Sequence, residues 1–273
     1  ADAGAGAQEQ EQEQEADADA EEGGYKHRKL NTSRRMKRMS NPFARQHHRD
    51  VEVPDWSRIF ADPSLPLMLD LGCAKGRWLQ RLAKGEGGVL PPHNYLGIEL
   101  FEALVDEANN WRDEYLPCPS NLHFIAGHAL KVLQDLKGSL PNLQRVCIQF
   151  PDPWGDKHER RRLVTPDFAR LVADLMPSGG ELYFASDYEM IAAQIRRNLL
   201  ETGRFVVTNG NNRADGSGAG GDRGTPGPQA QDAPGAADDV WMNGSYPYGV
   251  PTERDEVCET SWRQVWRCVL RRT

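Results

Sequence analysis

The chain has 273 residues, of which 38% are hydrophobic and 27% charged, enough for one large domain with a sizeable core. No apolar run is long enough to cross a bilayer, so the protein is expected to be soluble. The formal net charge of −7 excludes a uniformly basic nucleic-acid binder, but not a local basic face. Residues 1–24 carry nine acids and no Lys or Arg, so the remainder of the chain is formally +2. This Gln-Glu-rich stretch is expected to be a disordered acidic tail. Residues 25–50 follow as a basic arm, with Lys26, Arg28, Lys29, Arg34, Arg35, Lys37, Arg38, Arg45 and Arg49 and no acid before Asp50. Its His27, His47 and His48 are read as aids to phosphate contact.

From residue 51 onward strand and helix patterns alternate. Strands are predicted at Leu67–Leu71, Asn94–Ile98, Leu122–Ala126, Arg145–Gln149, Glu181–Ser186, Phe205–Thr208 and Val265–Leu270. Helices are predicted at Arg77–Ala83, Phe101–Tyr115, Leu130–Leu136, Pro166–Leu175 and Tyr188–Glu201. That alternation argues for an α/β domain over 51–273, a largely parallel sheet wrapped by helices. Residues 209–239 are rich in Gly, Ala, Pro and Asp without periodicity, and are expected to be a disordered insertion.

Three places along this frame carry chemistry. Gly72, Ala74 and Gly76 form a small-residue turn between the first strand and its helix, which lets a ligand approach the backbone. Lys75 is not followed by a hydroxyl residue, so the phosphate-binding Gly-Lys-Ser/Thr pattern is absent. Glu99 closes the second strand, where a carboxylate suits the two hydroxyls of a ribose, and together these argue for a nucleoside cofactor. The third place is Phe150-Pro-Asp-Pro-Trp154, followed by Lys157, His158, Arg160, Arg161 and Arg162. Asp152 stands between two prolines of fixed φ, a stiffly mounted carboxylate beside a cationic patch. Such a pairing suits one polar group acting on a base while phosphates are gripped nearby. The competing reading is an ordinary loop with solvated charges that pair with acids such as Glu159.

Asp70-x-Gly72-x-x-x-Gly76, Gly97-Ile-Glu99, Phe150-Pro-Asp-Pro-Trp154, His158-x-Arg-Arg-Arg-Leu163, Ser186-Asp187 and Pro251-Thr-Glu-Arg-Asp255 occur in one order. Together they resemble the tRNA (guanine-N7)-methyltransferases, from about Arg38 to the C-terminus. The resemblance implies a class I, Rossmann-like fold with a seven-stranded sheet whose last strand is inserted antiparallel. It also implies S-adenosylmethionine as cofactor and the variable-loop guanosine at tRNA position 46 as target.

Guanine N7 already presents a lone pair, so methylation needs no general base, only alignment and accommodation of positive charge on the purine. Asp152 is the first candidate for that catalytic role, and is also placed on the cofactor side. Asp187 is the second, though it also suits an N-cap of the helix that follows. Thr252, Glu253, Arg254 and Asp255 form a third, substrate-binding cluster. Asp70, Gly72 and Gly76 are expected at the methionine end of the cofactor and Glu99 at its ribose. His128 and Ala129 follow the third strand, where the family has Asn or Asp before Ala, so His128 is either near adenine or a plain loop histidine. The loop after Trp154 is one residue shorter than usual, which leaves Asp156 and Lys157 as alternative bearers of the family's substrate-lysine role. His158, Arg160, Arg161 and Arg162 are assigned to the RNA backbone.

The five cysteines form no C-x-x-C pair, and neither a metal site nor a Ser/His/Asp triad is expected. Trp78, Phe168, Tyr183 and Phe205 read as core, and Trp154 as the aromatic worth testing at the site. The Pro-Thr-Glu-Arg-Asp segment is similar to cyanobacterial and plastid-type members, which suggests a chloroplast or other organelle, with nucleus or cytoplasm as the alternative. The family's nucleocytoplasmic members work with a WD-repeat partner, which nothing in this sequence indicates; a monomer or a homodimer is expected. The sequence leaves open a methyltransferase for another RNA or a small molecule, and a silent RNA-binding module on the same fold.

Overall fold

The computed structural model describes residues 42–208, 241–242 and 246–273. The acidic tail, most of the basic arm and the insertion at 209–239 lie outside the described residues. Seven strands form one sheet: β1 (Leu67–Leu71), β2 (Asn94–Glu99), β3 (Leu122–Ala126), β4 (Leu143–Gln149), β5 (Glu181–Ser186), β6 (Phe205–Val207) and β7 (Trp266–Arg272). Their order is β3-β2-β1-β4-β5-β7-β6. The first five pair in parallel, whereas β7 runs antiparallel between β5 and β6. This is the class I methyltransferase arrangement that the motifs implied. The chain order reverses between β1 and β4, and ligands of open α/β sheets bind at the carboxyl ends of strands there.

Period-2 alternation sorts the central strands between two cores. Leu67, Leu69 and Leu71 of β1, Val146 and Ile148 of β4, and Leu182 and Phe184 of β5 face one side. There they meet helices α4 (Ala129–Asp135), α5 (Pro166–Leu175) and α6 (Glu189–Leu200). Met68, Cys147 and Tyr183 face the other side, against α2 (Arg77–Ala83), α3 (Glu102–Tyr115), Tyr248 and Val250. Helix α5 starts as its sequence dictates: the Thr165 hydroxyl accepts from the Phe168 N–H at 3.3 Å and Pro166 takes the first turn.

The predicted strands and helices are all present, with ends moved by one or two residues. Among the described residues two helices escaped the pattern reading, α1 (Trp56–Ile59) and α7 (Glu253–Thr260), as did 3₁₀ segments at Arg45–His47 and Asp156–Arg161. Helix α7 has almost no apolar stripe, so periodicity could not find it. Its start is nonetheless written in Thr252 and Asp255, a capping box in which each side chain bonds the other's backbone N–H. Asp187 does not cap α6: the N-cap is Tyr188, without a side-chain bond, because Asp187 is drawn to two arginines instead. The Ser186 hydroxyl accepts the Tyr188 N–H at 3.1 Å.

The described end of the basic arm is docked on the domain. His47 is buried, edge-on to Phe101, and its carbonyl accepts the His128 N–H at 2.8 Å. His47 is therefore packed rather than turned outward for phosphate, while Arg49 stays exposed beside Glu102.

Candidate functional site

Where β1, β4 and β5 end, a cleft of about 520 Å³ opens. Its floor and one wall come from Asp70, Gly72, Cys73, Ala74 and Lys75, with Arg77 and Trp78 from α2. Gln149, Phe150, Pro151, Asp152 and Pro153 form the facing wall. Asp187, Tyr188, Thr252, Glu253, Arg254 and Val257 complete the rim. Segments more than 180 residues apart in sequence thus converge on one site.

The first wall is held by backbone. Gly72, Ala74 and Gly76 all have left-handed φ, of 82°, 49° and 67°, which glycine takes freely and alanine only at a cost. At Gly72 a Cβ would meet nothing within 4 Å, whereas at Gly76 it would fall 2.3 Å from the Phe124 ring and at Gly97 2.5 Å from it. Phe124 therefore dictates Gly76 and Gly97, whereas Gly72 is dictated by its φ alone. Glu99 ties the turn to β2: one carboxylate oxygen accepts the Ala74 N–H at 2.9 Å and the other the Phe101 N–H at 3.2 Å. Burial raises its carboxyl, backbone hydrogen bonds pull the other way, and the charge of Asp152 raises it again.

Asp70 is buried below this turn, 4% exposed, on the cleft floor. Burial pushes its carboxyl up to about 7; the Gln149 amide beside it pulls the other way and the Glu99 charge adds to the rise. No hydrogen bond of ordinary length joins them, and the Gln149 amide nitrogen is buried without a partner among the described residues. A buried carboxylate, an unpartnered amide donor and open space over Gly72 form a donor set that fits the amino-acid end of S-adenosylmethionine, its ammonium against Asp70 and a carboxylate within reach of the amide. Gln149 was not singled out from sequence; its position as the last residue of a buried strand before the Pro-Asp-Pro turn is the signal that marks it.

The facing wall is built differently. Phe150 has φ of 51°, an unfavourable conformation for a bulky residue, held by its N–H bonding the Ala185 carbonyl at 2.8 Å. Asp152 follows, exposed at the cleft, its carboxyl raised by partial desolvation. The loop beyond is braced by Arg162. That guanidinium donates to the Trp154 carbonyl, to Gln194 of α6 and to Asp156, each at 2.7 Å, and the residue is only 8% exposed. Arg162 was expected among the RNA-contacting cations, but its donors point inward and it serves as the loop's anchor. Arg160, His158 and Lys157 are exposed, and Arg161 lies over the Trp154 ring at 5.0 Å. Asp156 pairs with Arg162 yet keeps 83% of its side chain exposed, so Asp156 and Lys157 both face outward.

Asp187 closes the rim. Burial alone would raise its carboxyl, but hydrogen bonds from Arg263 and Arg254 hold it below the usual carboxylate range. The carboxylate is 5% exposed and accepts from both arginines, from Arg263 at 2.8 Å. Thr252 reaches the cleft because Trp78 and Arg81 of α2 donate to the Val250 and Pro251 carbonyls at 2.9 and 3.0 Å. Glu253 pairs with Arg77. Asp255, expected at the substrate, is instead fully buried, bonded to Thr252 and, at 2.6 Å, to Arg267. It orients α7 rather than facing the cleft. His128 also lies away from the cleft lining. It packs on His48 with ring centroids 4.7 Å apart, and burial, with the charges of His48 and His47, lowers its ring to about 4. Ala129 beside it is buried.

A family model for putative methyltransferases matches residues 64–218. The chain is 33% identical over 241 residues to the tRNA (guanine-N(7)-)-methyltransferase of Synechocystis sp., covering 88% of this chain and 98% of that one. It is 40% identical to the protein of the same name from Thermosynechococcus vestitus, over 64% of this chain and 79% of that one. The Synechococcus elongatus protein of that name is 39% identical over 64% of this chain and 80% of its own length. Among solved structures, the aminoglycoside resistance methyltransferase NpmB1 is 16% identical at a TM-score of 0.41, covering 76% of this chain and 87% of that one, a likeness too loose to argue from.

Proposed function

The chain belongs to the tRNA (guanine-N7)-methyltransferase family, and we propose that its two cleft walls divide the work between cofactor and base. It methylates guanine N7 in tRNA with S-adenosylmethionine as cofactor. The observation that carries this reading is a relative 33% identical and 98% covered, taken with one cleft lined by Asp70, Gly72, Asp152, Asp187 and Thr252, with Glu99 behind it. The position-46 guanosine as target rests on the motif resemblance.

Bound in the cleft, S-adenosylmethionine supplies an electrophilic sulfonium methyl. Asp70 would hold its ammonium group, the Gly72–Gly76 turn would bring backbone against its methionine end, and Glu99 would accept from its ribose. Both Glu99 oxygens already accept a backbone N–H, which fixes their direction and leaves a lone pair on each for a hydroxyl. On the substrate side the guanine nitrogen attacks with its own lone pair, so no residue has to remove a proton. Asp152 would accept from the N–H groups of the guanine edge and face the cation that forms, a preorganised charge in a partly desolvated site. Arg254, positioned by Asp187, with Thr252 and Glu253, would line the entry of the base. Lys157, His158, Arg160 and Arg161 would meet phosphates on the outer side of that loop.

Among the described residues no helix is long and apolar enough to cross a membrane. An organellar location is proposed from the likeness of Pro251–Asp255 to plastid-type members, with nucleus or cytoplasm as the alternative, and imaging of the tagged protein would test it. The enzymatic reading is tested by transfer of labelled methyl from S-adenosylmethionine to unmodified tRNA, followed by digestion to nucleosides. Label in 7-methylguanosine is the expected product. Label in another nucleoside, or none, would overturn the assignment.

A further inference from the structure

The turn after α7 is not used by the site as described, yet it is tied to it. Trp262 is 91% exposed, an unusual state for the largest apolar side chain. Its φ of 53° is a left-handed conformation that a bulky residue rarely adopts. The conformation is held in place: the Trp262 N–H bonds the Glu259 carbonyl at 3.2 Å and the Arg263 N–H the Cys258 carbonyl at 2.8 Å. The chain thus maintains a strained turn whose outcome is an indole in water.

The surroundings say what suits it. Arg263, the next residue, donates to the buried Asp187 carboxylate of the cleft rim at 2.8 Å. Arg254 shares the same carboxylate, and both arginines keep well over a third of their side chains exposed. One buried acid thus fixes the direction of two guanidinium groups that stay open to solvent, while the rim acid Glu253 is taken up by Arg77. Val257, one helical turn before Ser261, lines the cleft and is itself exposed, as is Tyr188. An exposed indole beside cations fixed in direction is the pairing that single-stranded RNA recognition uses, aromatic for base and cation for phosphate.

We propose that the Ser261–Arg263 turn is a nucleotide-binding subsite for the tRNA, Trp262 stacking on an unpaired base near the target guanosine and Arg263 meeting its phosphate. The subsite rests on the tRNA reading above and adds to it a grip on a second nucleotide, outside the cleft. Asp187 then acts as a positioning residue for both arginines.

The test is equilibrium binding of an unmodified tRNA transcript to the full chain, without cofactor. Trp262→Ala weakens binding roughly ten-fold, the range of a lost base–aromatic stack, while Trp262→Phe stays within about three-fold of the parent. Single abasic sites placed in turn at the nucleotides around the target then identify the stacked base. At that position the abasic tRNA weakens the parent protein as much as the Ala change does, and costs Trp262→Ala nothing further. Unaltered tRNA affinity of Trp262→Ala overturns the subsite, as does a loss that no abasic position absorbs. A Trp262→Ala change confined to oligomeric state or to binding of another protein, with tRNA affinity intact, would also overturn it and assign the turn to a protein contact. Formation of 7-methylguanosine by the parent protein in the same preparation separates the two failures. If it forms while Trp262→Ala binds normally, only the subsite falls; if it does not form, the enzymatic reading falls first.

Discussion

The two walls of the cleft solve opposite problems. The β1–α2 wall is backbone and buried carboxylate: left-handed Gly72, Ala74 and Gly76, with Asp70 and Glu99 withdrawn from water. The facing wall is side chain and ion pair, with Asp152 and Arg160 at the surface and Arg162 and Asp187 as buried anchors. The contrast suits their ligands. A small cofactor is recognised by close approach and desolvated polar groups, whereas a tRNA brings many phosphates and needs charges that point outward. Each wall should therefore fail in its own way when altered.

The sharpest break is expected at Asp70. Asp70→Asn removes the charge proposed to meet the ammonium group, and S-adenosylmethionine affinity should fall on the order of 100-fold. Because burial lifts the folded carboxyl to about 7 from the ordinary 3.8, folding favours the protonated form. Its contribution to stability is complete below about pH 4 and is lost as pH rises toward 7. Thermal melts of Asp70→Asn should lose that pH dependence and gain relative stability at pH 8. Cofactor affinity of the parent should move the other way, rising as pH climbs through 7, which titration calorimetry would read. Affinity flat across that range would contradict the ammonium contact.

Gly97→Ala should follow in size. Its Cβ would press on Phe124 at 2.5 Å and on the Cys73 sulfur at 2.6 Å, so denaturant unfolding should show a loss of about 1–3 kcal/mol. The opposite wall answers to salt instead. Arg160→Ala and Arg161→Ala should each flatten the salt dependence of tRNA binding by roughly 0.7–0.9 in log–log slope. Arg162→Ala should destabilise the loop by about 1–3 kcal/mol through the bare Trp154 and Gln194 acceptors. An Arg162→Ala variant of full stability and reduced salt slope would return that residue to the RNA. Smallest is Ala74→Gly, which relieves a left-handed alanine and should raise stability by under about 1 kcal/mol.

Much of this frame was legible beforehand because it depends on local pattern. The strands of the parallel core read as short apolar runs, and the glycine turn and Pro-Asp-Pro loop advertise themselves within a few residues. What sequence missed depends on partners far along the chain. Arg162 looks like one more cation in a run, until Gln194 of α6, 32 residues on, turns it inward. Asp187 looks like a helix cap, until Arg263, 76 residues away, draws it off. Asp255 looks like a substrate acid because a capping box and a ligand cluster use the same residue types. Gln149 carries no motif of its own; its place at the end of β4 before the Pro-Asp-Pro turn hints at it, and its buried amide without a partner singles it out.

The division between the walls is most directly tested by measuring S-adenosylmethionine affinity and single-turnover methyl transfer, side by side, in Glu99→Ala and Asp152→Asn. Glu99→Ala should lose cofactor affinity while transferring near the parent rate once saturated. Asp152→Asn should keep its affinity and lose roughly 10²–10³ in rate, the cost of one preorganised group. Near-parent transfer by Asp152→Asn, or a loss of the same parameter in both variants, would contradict the account.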